Sequence, residues 1–155
     1  TAPYGSDGRW RWAIHDMDST FGLSGGSISI NSLENATAAG GTSWPNPDWS
    51  TLLLRKLLEN DEFKYEFITR FADVMNTYFH TERILTRIDE MKAVIAPEMA
   101  RQYERWKTPS NYSWNYFIDK LKLFANDRPE IQRGHIRDKF EIANNIEKNI
   151  ICLNY

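Results

Sequence analysis

Residues 10–22 read WRWAIHDMDSTFG, a stretch in which large and polar side chains alternate until two aspartates stand two positions apart. Alternation of this kind predicts a half-buried strand with Trp10, Trp12 and Ile14 on one face. Asp16 and Asp18 follow where the strand should end, and residues two apart in an extended segment point the same way. Two carboxylates directed at one spot repel each other unless a cation lies between them.

The aspartate pair has two interpretations on spacing alone. A hard cation such as Mg²⁺ takes one or two carboxylates together with phosphate oxygens, so the pair could hold a metal ion beside a phosphate group. Alternatively, the Asp, Ser, Thr and Gly residues of the stretch form only the turn that follows a strand. The spacing leaves both interpretations open.

The composition is that of a folded domain without a preference for polyanions. The chain has 155 residues, of which 41% are hydrophobic and 14% aromatic, enough for one domain with a sizeable core. A net charge of -2 gives no reason to expect nucleic acid as a partner, and no apolar run reaches the length of a membrane span. The single cysteine, Cys152, cannot form an internal disulfide or a thiolate metal site. Because the chain begins at Thr1 and ends on an apolar stretch, we expect it to be part of a longer protein.

The first third of the chain predicts few regular elements besides the strand. Residues 6–8, Ser-Asp-Gly, predict the turn of a hairpin whose second arm runs to Asp16. Residues 22–48 consist mostly of Gly, Ser, Asn, Thr and Ala and predict a long loop. Within that loop, the alternation at residues 28–30 predicts a short strand fragment.

After this loop the apolar residues recur with a helical period, and capping residues divide the stretch into about five or six helices. Asp48 or Ser50 is expected to cap the first of them, Asn60 with Asp61 the second, and Asn111 or Ser113 a later one, all by the ordinary preference of short polar side chains. The helix after Asn60 carries aromatic side chains around much of its circumference, which predicts a central position.

Two prolines predict where helices are interrupted or begin, and the last residues predict a strand. Pro97 is expected to interrupt the helix that Thr81 caps, because an interior proline loses a hydrogen bond. Pro129 is expected at the first position of the last helix, where its missing N–H costs nothing. Residues 148–155 predict a final strand that could enter another domain.

Three classes of phosphate or metal chemistry fit an Asp-x-Asp stretch. Residues 16–20, DMDST, match the pattern of haloacid-dehalogenase-type phosphotransferases, but the helical remainder lacks the alternating strands of that fold. A calcium loop is rejected because Phe21 stands where glycine is needed and Ser27 where a glutamate is needed. In kinases, an aspartate just after a strand holds Mg²⁺ against nucleotide phosphates, and the C-lobe is mainly helical.

Three further side chains have a candidate role beside an ordinary structural one. His15 could contact phosphate, but a hydrogen-bonded structural histidine is the interpretation that we favour. Arg70 could pair with either aspartate of the metal segment, or with Asp73 in an ordinary helix-surface ion pair. Trp44 lies in the loop and could stack on an adenine or a sugar.

Several sequence blocks together resemble the C-terminal half of the spore coat protein H (CotH) kinase family. They are the WRW, D-x-D and FG elements at residues 10–22, L-x-x-K-L-L-E-N-x-E-F at 53–63, F-I-x-R-F-A-D-x-x-N-T-Y-F at 67–79, E-R-I-L-x-x-I-D-E-M with I-A-P-E-M at 82–99, and R-P-E-I-x-R-x-H-I at 128–136. Members of this family resemble protein kinases very distantly, and some transfer phosphate from ATP to serines of coat proteins.

The resemblance implies roles for the aspartate pair and for residues outside the chain. Asp16, nearest the strand, would be the direct ligand of Mg²⁺ or Mn²⁺, and Asp18 would be a second ligand or would fix the loop. The family's nucleotide-binding lysine and catalytic aspartate lie upstream of the WRW strand, and nothing before Trp10 can provide them. We therefore expect the isolated 155-residue chain to be inactive, with ATP and metal bound only by the full-length protein.

These features predict an α+β, mainly α chain. A short N-terminal strand or hairpin would precede a helical subdomain similar to the C-lobe of an atypical protein kinase. Residues 1–145 would be the C-terminal part of a CotH-type kinase-like domain, and residues 146–155 a strand leading into a further domain. The implied activity is transfer of the ATP γ-phosphate to Ser or Thr hydroxyls of a protein substrate. The alternative is a non-catalytic helical interaction module of a secreted or surface protein.

Overall fold

The computed structural model describes residues 14–15, 17, 20–23, 26–38, 40 and 47–142. This part of the chain is mainly helical and contains no strand. Its six α-helices are α1 (Ser32–Thr37), α2 (Asp48–Leu57), α3 (Asp61–Asn76), α4 (Thr81–Ile95), α5 (Met99–Trp106) and α6 (Asn111–Phe140). A 3₁₀ turn at Ala96–Glu98 separates α4 from α5. None of the helices in the described ranges is long and apolar enough to cross a membrane.

The predicted helical subdomain is confirmed, whereas the β elements are not. The N-terminal hairpin and the final strand fall almost entirely on residues 1–13 and 143–155, which lie outside the described residues. The strand fragment predicted at residues 28–30 is wrong, because the Ile30 N–H donates to the Ser27 carbonyl at 3.2 Å and closes a turn. The loop prediction also missed α1, whose first turn is capped by the Asn31 side chain, which accepts from the Glu34 N–H.

Local capping explains where several helices begin. Asn60 caps α3 as predicted, since its Oδ1 accepts the Phe63 N–H at 2.9 Å. The cap of α6 is instead Ser110, whose hydroxyl accepts the Ser113 N–H, so Asn111 and Ser113 were wrong choices. The Thr81 cap was also wrong, because Thr81 is the first helical residue of α4 and its hydroxyl bonds elsewhere.

Pro97 interrupts the chain between α4 and α5 as predicted, but Pro129 does not begin a helix. It lies inside α6, which runs for 30 residues without a break. Proline has no N–H to donate to the carbonyl four positions earlier, here that of Ala125. The hydroxyl of Thr81 on α4 donates to this Ala125 carbonyl at 3.2 Å. Ala125 is only 5% exposed, so a carbonyl that water could not easily reach is satisfied by a side chain from another helix.

Replacing Thr81 with valine is expected to lower the free energy of unfolding by about 1–3 kcal/mol, because it leaves a buried carbonyl without a donor. Urea denaturation followed by circular dichroism measures the change. Thr86→Val is the matched control, because Thr86 is exposed on the same helix and should change stability by only a few tenths of a kcal/mol. Equal denaturation midpoints for the two variants would contradict the assigned role of Thr81.

The core is built around α6, which contacts α1, α4 and α5. Its buried apolar residues are Leu33, Ala72, Met75, Ala125 and Ile136. The aromatic side chains of α3 pack as a row, with the Phe67 ring 6.0 Å from those of both Phe71 and Phe140. These phenylalanines are only half-buried, and Phe67 and Phe71 line an open cavity. Helix α3, which the sequence predicted to be central, therefore borders the cavity with part of its aromatic face.

Candidate functional site

The chain leaves the predicted metal segment through consecutive tight turns. The backbone N–H and the hydroxyl of Thr20 both donate to the Met17 carbonyl, at 3.2 and 2.7 Å. The Leu23 N–H then donates to the Thr20 carbonyl at 3.1 Å. Within this second turn, Phe21 and Gly22 have φ values of +55° and +70°, as the two central residues of type I′ turns do.

Helix α6 fixes this turn. A left-handed backbone costs a residue such as Phe21 about 1–2 kcal/mol, which packing must offset. The Phe21 ring packs against the Phe124 ring of α6, with centroids 5.2 Å apart. Gly22 lies on the same ring, because a Cβ added to it would approach the Phe124 side chain to 3.3 Å. The backbone just after the two aspartates is therefore held in a strained conformation against α6.

Gly22→Ala is expected to cost about 1–2 kcal/mol of stability, because alanine disfavours the positive φ and its methyl group would press on Phe124. Gly40→Ala is the matched control, since a Cβ at Gly40 meets no atom within 4 Å. Chemical denaturation of both variants measures the difference. If the two substitutions destabilise the protein equally, the turn is not held in the way described.

Arg128 connects α6 to the next part of the loop. Its Nη1 donates to the carbonyls of Ile28 and Ile30, at 2.5 and 2.8 Å, and its Nη2 donates to the Gln132 Oε1 at 2.7 Å. The guanidinium also lies 5.8 Å from the Phe124 ring centroid. It pairs with no carboxylate among the residues that the structure describes, and its partial burial lowers its pKa. Arg128 and Phe124, one helical turn apart, therefore anchor the segment that follows the aspartates.

His135 lies further along α6 in an environment that disfavours its charged form. Burial lowers its pKa, the nearby positive charge of Arg128 lowers it further, and Asp138 opposes the shift. Its Nδ1 is buried without a hydrogen-bond partner in the described ranges. His135 is therefore less protonated near neutral pH than an exposed histidine.

The segment that contains Met17, Thr20 and Phe21 borders a cavity of about 640 Å³. The wall is mostly apolar, and its polar side chains are Thr20, Glu66, Arg70, Arg128 and Gln132. Its remaining lining residues are Met17, Phe21, Phe63, Phe67, Phe71, Val74, Met75, Phe79, Ile84, Phe124, Ala125 and Pro129. A concave, mainly apolar space with a few polar groups is the usual form of a small-molecule or peptide site.

Of the residues with a predicted role, the structure places Arg70 at this cavity. Met17, which stands between the two aspartates in the sequence and had no predicted role, also lines it. Arg70 is exposed and forms no ion pair with Asp73 or with any other described carboxylate. His15 is also exposed. Asp16, Asp18 and Trp44 lie outside the described residues.

The metal site stays a prediction. No group of three or more His, Cys, Asp or Glu residues that could hold a metal ion occurs among the residues with a described position.

Arg128 and Phe124 are the functional residues that the sequence did not reveal. Arg128 stands in the R-P-E-I block, but its carbonyl acceptors are about 100 residues earlier in the chain. No local pattern of residue types signals a contact of that kind.

Comparison with known families identifies the class of the domain. The chain matches the family model described as CotH kinase protein over residues 2–131, which is most of its length. The match defines a kinase-related domain. The chain belongs to the CotH kinase family, as the sequence blocks had indicated. Neither a curated protein nor a solved structure matches it significantly.

Proposed function

We propose that this chain supplies the metal-binding segment of an atypical protein kinase, which transfers the γ-phosphate of ATP to Ser or Thr hydroxyls of a protein. The observation that carries the proposal is the position of Met17. This residue lines the cavity, and it is followed at once by a strained turn that α6 holds in place. The residues that follow the aspartate pair in the sequence are held against α6 by the contacts of Phe21 and Gly22 with Phe124.

The residue types on either side of Met17 support this role for the aspartates. Carboxylate oxygens are the ligands that Mg²⁺ takes alongside phosphate oxygens. The residue types at these positions therefore fit the metal.

Each residue has a defined task in this proposal. Asp16 is the direct metal ligand, and Asp18 is a second ligand or fixes the loop. Arg70, an exposed cation at the cavity edge without a described ion-pair partner, is available to a phosphate group or to the aspartates. A Mg²⁺ ion held by these carboxylates would supply positive charge against the negative charge that develops during phosphoryl transfer. No residue of this chain is assigned as the nucleotide-binding lysine or the catalytic base.

Phosphorylation of the protein that carries these residues tests the proposal. The protein is incubated with ATP and MgCl₂, and phosphoserine and phosphothreonine are counted by mass spectrometry. We expect incorporation that requires Mg²⁺ or Mn²⁺ and that stops when EDTA is added. Absence of any incorporation would favour the alternative, a non-catalytic helical interaction module.

A further inference from the structure

Exposed aromatic side chains cluster at the end of the molecule where α5 meets α6. Tyr103 and Trp106 lie on α5 and Tyr112, Tyr116 and Phe117 on the first two turns of α6, and all five are between 44% and 82% exposed. The two helices contact each other and are joined by four residues, 107–110. Large aromatic side chains are costly to leave in water, so a group of five on adjacent elements marks a contact surface. We call this group and its neighbouring cations the α5–α6 tip.

Three cations lie over the rings of the tip. Arg105 is 4.9 Å from the Trp106 ring centroid, Lys107 is 5.8 Å from that of Tyr103, and Lys120 is 5.1 Å from that of Tyr116. None of the three cations has an ion-pair partner among the described residues. On other helices, Lys56, Lys64 and Arg87 do pair with carboxylates, whereas Arg70 does not in the part of the chain that the structure describes. The cations of the tip are therefore held in place by the rings, with their charges available to a partner.

The charge of the tip differs from that of the rest of the protein. Residues 99–123 contain five basic residues and two acidic ones, Glu104 and Asp119, whereas the whole chain has 19 basic and 21 acidic residues. Two of the five basic residues are paired, Arg101 with Glu98 and Lys122 with Asp89, which leaves Arg105, Lys107 and Lys120. Three cations without a described ion pair on a slightly acidic protein attract an acidic partner and repel a basic one.

The residue types favour a protein partner over a membrane. Tyr, Trp and Arg are enriched at protein interfaces and among the side chains that contribute most to binding. Helices that lie on a membrane instead present a broad face of Leu, Phe and Trp. Three of the five exposed aromatics of the tip are tyrosines, whose hydroxyls suit a polar interface.

We propose that the α5–α6 tip docks an acidic segment of a partner protein. The carboxylates of this segment would bind the amino and guanidinium groups of Lys107, Lys120 and Arg105. Its apolar side chains would pack on the exposed rings between them. The proposal is independent of the proposed kinase activity, because the tip shares no residue with the cavity or with the aspartate segment.

Fluorescence anisotropy with the 155-residue chain tests the proposal. The probe is a fluorescein-labelled 14-residue peptide rich in Glu, with Phe at every fourth position, and the control peptide has Gln in place of each Glu. We expect saturable binding of the Glu peptide. The triple variant Arg105→Glu/Lys107→Glu/Lys120→Glu should bind it at least about tenfold more weakly, a change of about 1.4 kcal/mol. The charge-matched control Lys56→Glu/Lys64→Glu/Arg87→Glu should stay within about twofold of the unmodified chain.

A charge exchange separates lost recognition from lost folding. The triple variant of the tip should gain more affinity than the charge-matched control for a third peptide in which every Glu is replaced by Lys, because both variants carry the same net charge, and circular dichroism shows that both are folded. Absence of saturable binding to the Glu peptide would overturn the proposal, and so would equal losses in the two triple variants or equal binding of the Gln peptide. Sedimentation with phosphatidylserine vesicles in place of peptide binding would assign the tip to a membrane instead.

Discussion

Asp16→Asn is expected to lower Mg²⁺-dependent phosphorylation by the protein that carries these residues at least about a hundredfold, a rise of about 2.7 kcal/mol in the barrier. Asparagine keeps the size of the side chain but removes the negative charge that binds the metal. The loss should appear as reduced transfer at saturating ATP. Stability should change little, because the carboxylate is assigned to the metal and not to the core.

Two further substitutions make this prediction specific. Asp18→Asn should reduce transfer as strongly if Asp18 is a second ligand, and less strongly if it only fixes the loop. Asp119→Asn is the control, because Asp119 is an exposed carboxylate on α6 that lines no part of the cavity. Thermal denaturation of each variant shows whether it is folded. Full activity of a folded Asp16→Asn protein would show that the metal ligand has been assigned wrongly.

Arg128→Met should lower the free energy of unfolding by about 2 kcal/mol. Methionine fills part of the same space but cannot donate to the carbonyls of Ile28 and Ile30 or to the buried Gln132 side chain. A loss of about 2 kcal/mol is typical of hydrogen bonds to charged groups. We expect no larger loss, because both carbonyls retain some access to water. Urea denaturation measures the loss. Hydrogen exchange of residues 20–30 should accelerate in the same variant, because the segment loses its anchor to α6.

Arg87→Met is the matched control for this experiment. Arg87 pairs with Glu90 on the surface of α4, with both side chains more than half exposed. Such a pair contributes only a few tenths of a kcal/mol. Comparable losses for Arg87→Met and Arg128→Met would mean that the anchoring contacts of Arg128 contribute nothing beyond an ordinary surface ion pair.

The helical part of the fold was predictable because its determinants are local. Apolar spacing and the Asn60 cap act within one or two turns, so the sequence around α3 contains enough information to define it. The course of α6 was not predictable in this way. Pro129 favours a helix start when read alone, and the donor that makes an interior position tolerable is Thr81, 44 residues before the Ala125 carbonyl.

The candidate site likewise has a part with local determinants, which was predictable, and a part that depends on long-range contacts, which was not. The aspartate pair and the turn after it could be read from residues 10–22, whereas the strand predicted before the pair is not confirmed. The cavity beside Met17 and the anchor formed by Phe124 and Arg128 could not, because they arise from contacts between residues about 100 positions apart. The strain at Phe21 was equally hidden, since a positive φ at phenylalanine is set by tertiary packing and not by its own preference.

The bond between the Thr81 hydroxyl and the Ala125 carbonyl has a consequence for how this domain can evolve. The hydroxyl at position 81 is needed because position 129 is a proline, which leaves that carbonyl free. A relative with an ordinary N–H at position 129 would restore the bond within α6 and could then lose the hydroxyl without cost. Positions 81 and 129, on two different helices, should therefore covary among family members, with threonine or serine accompanying proline.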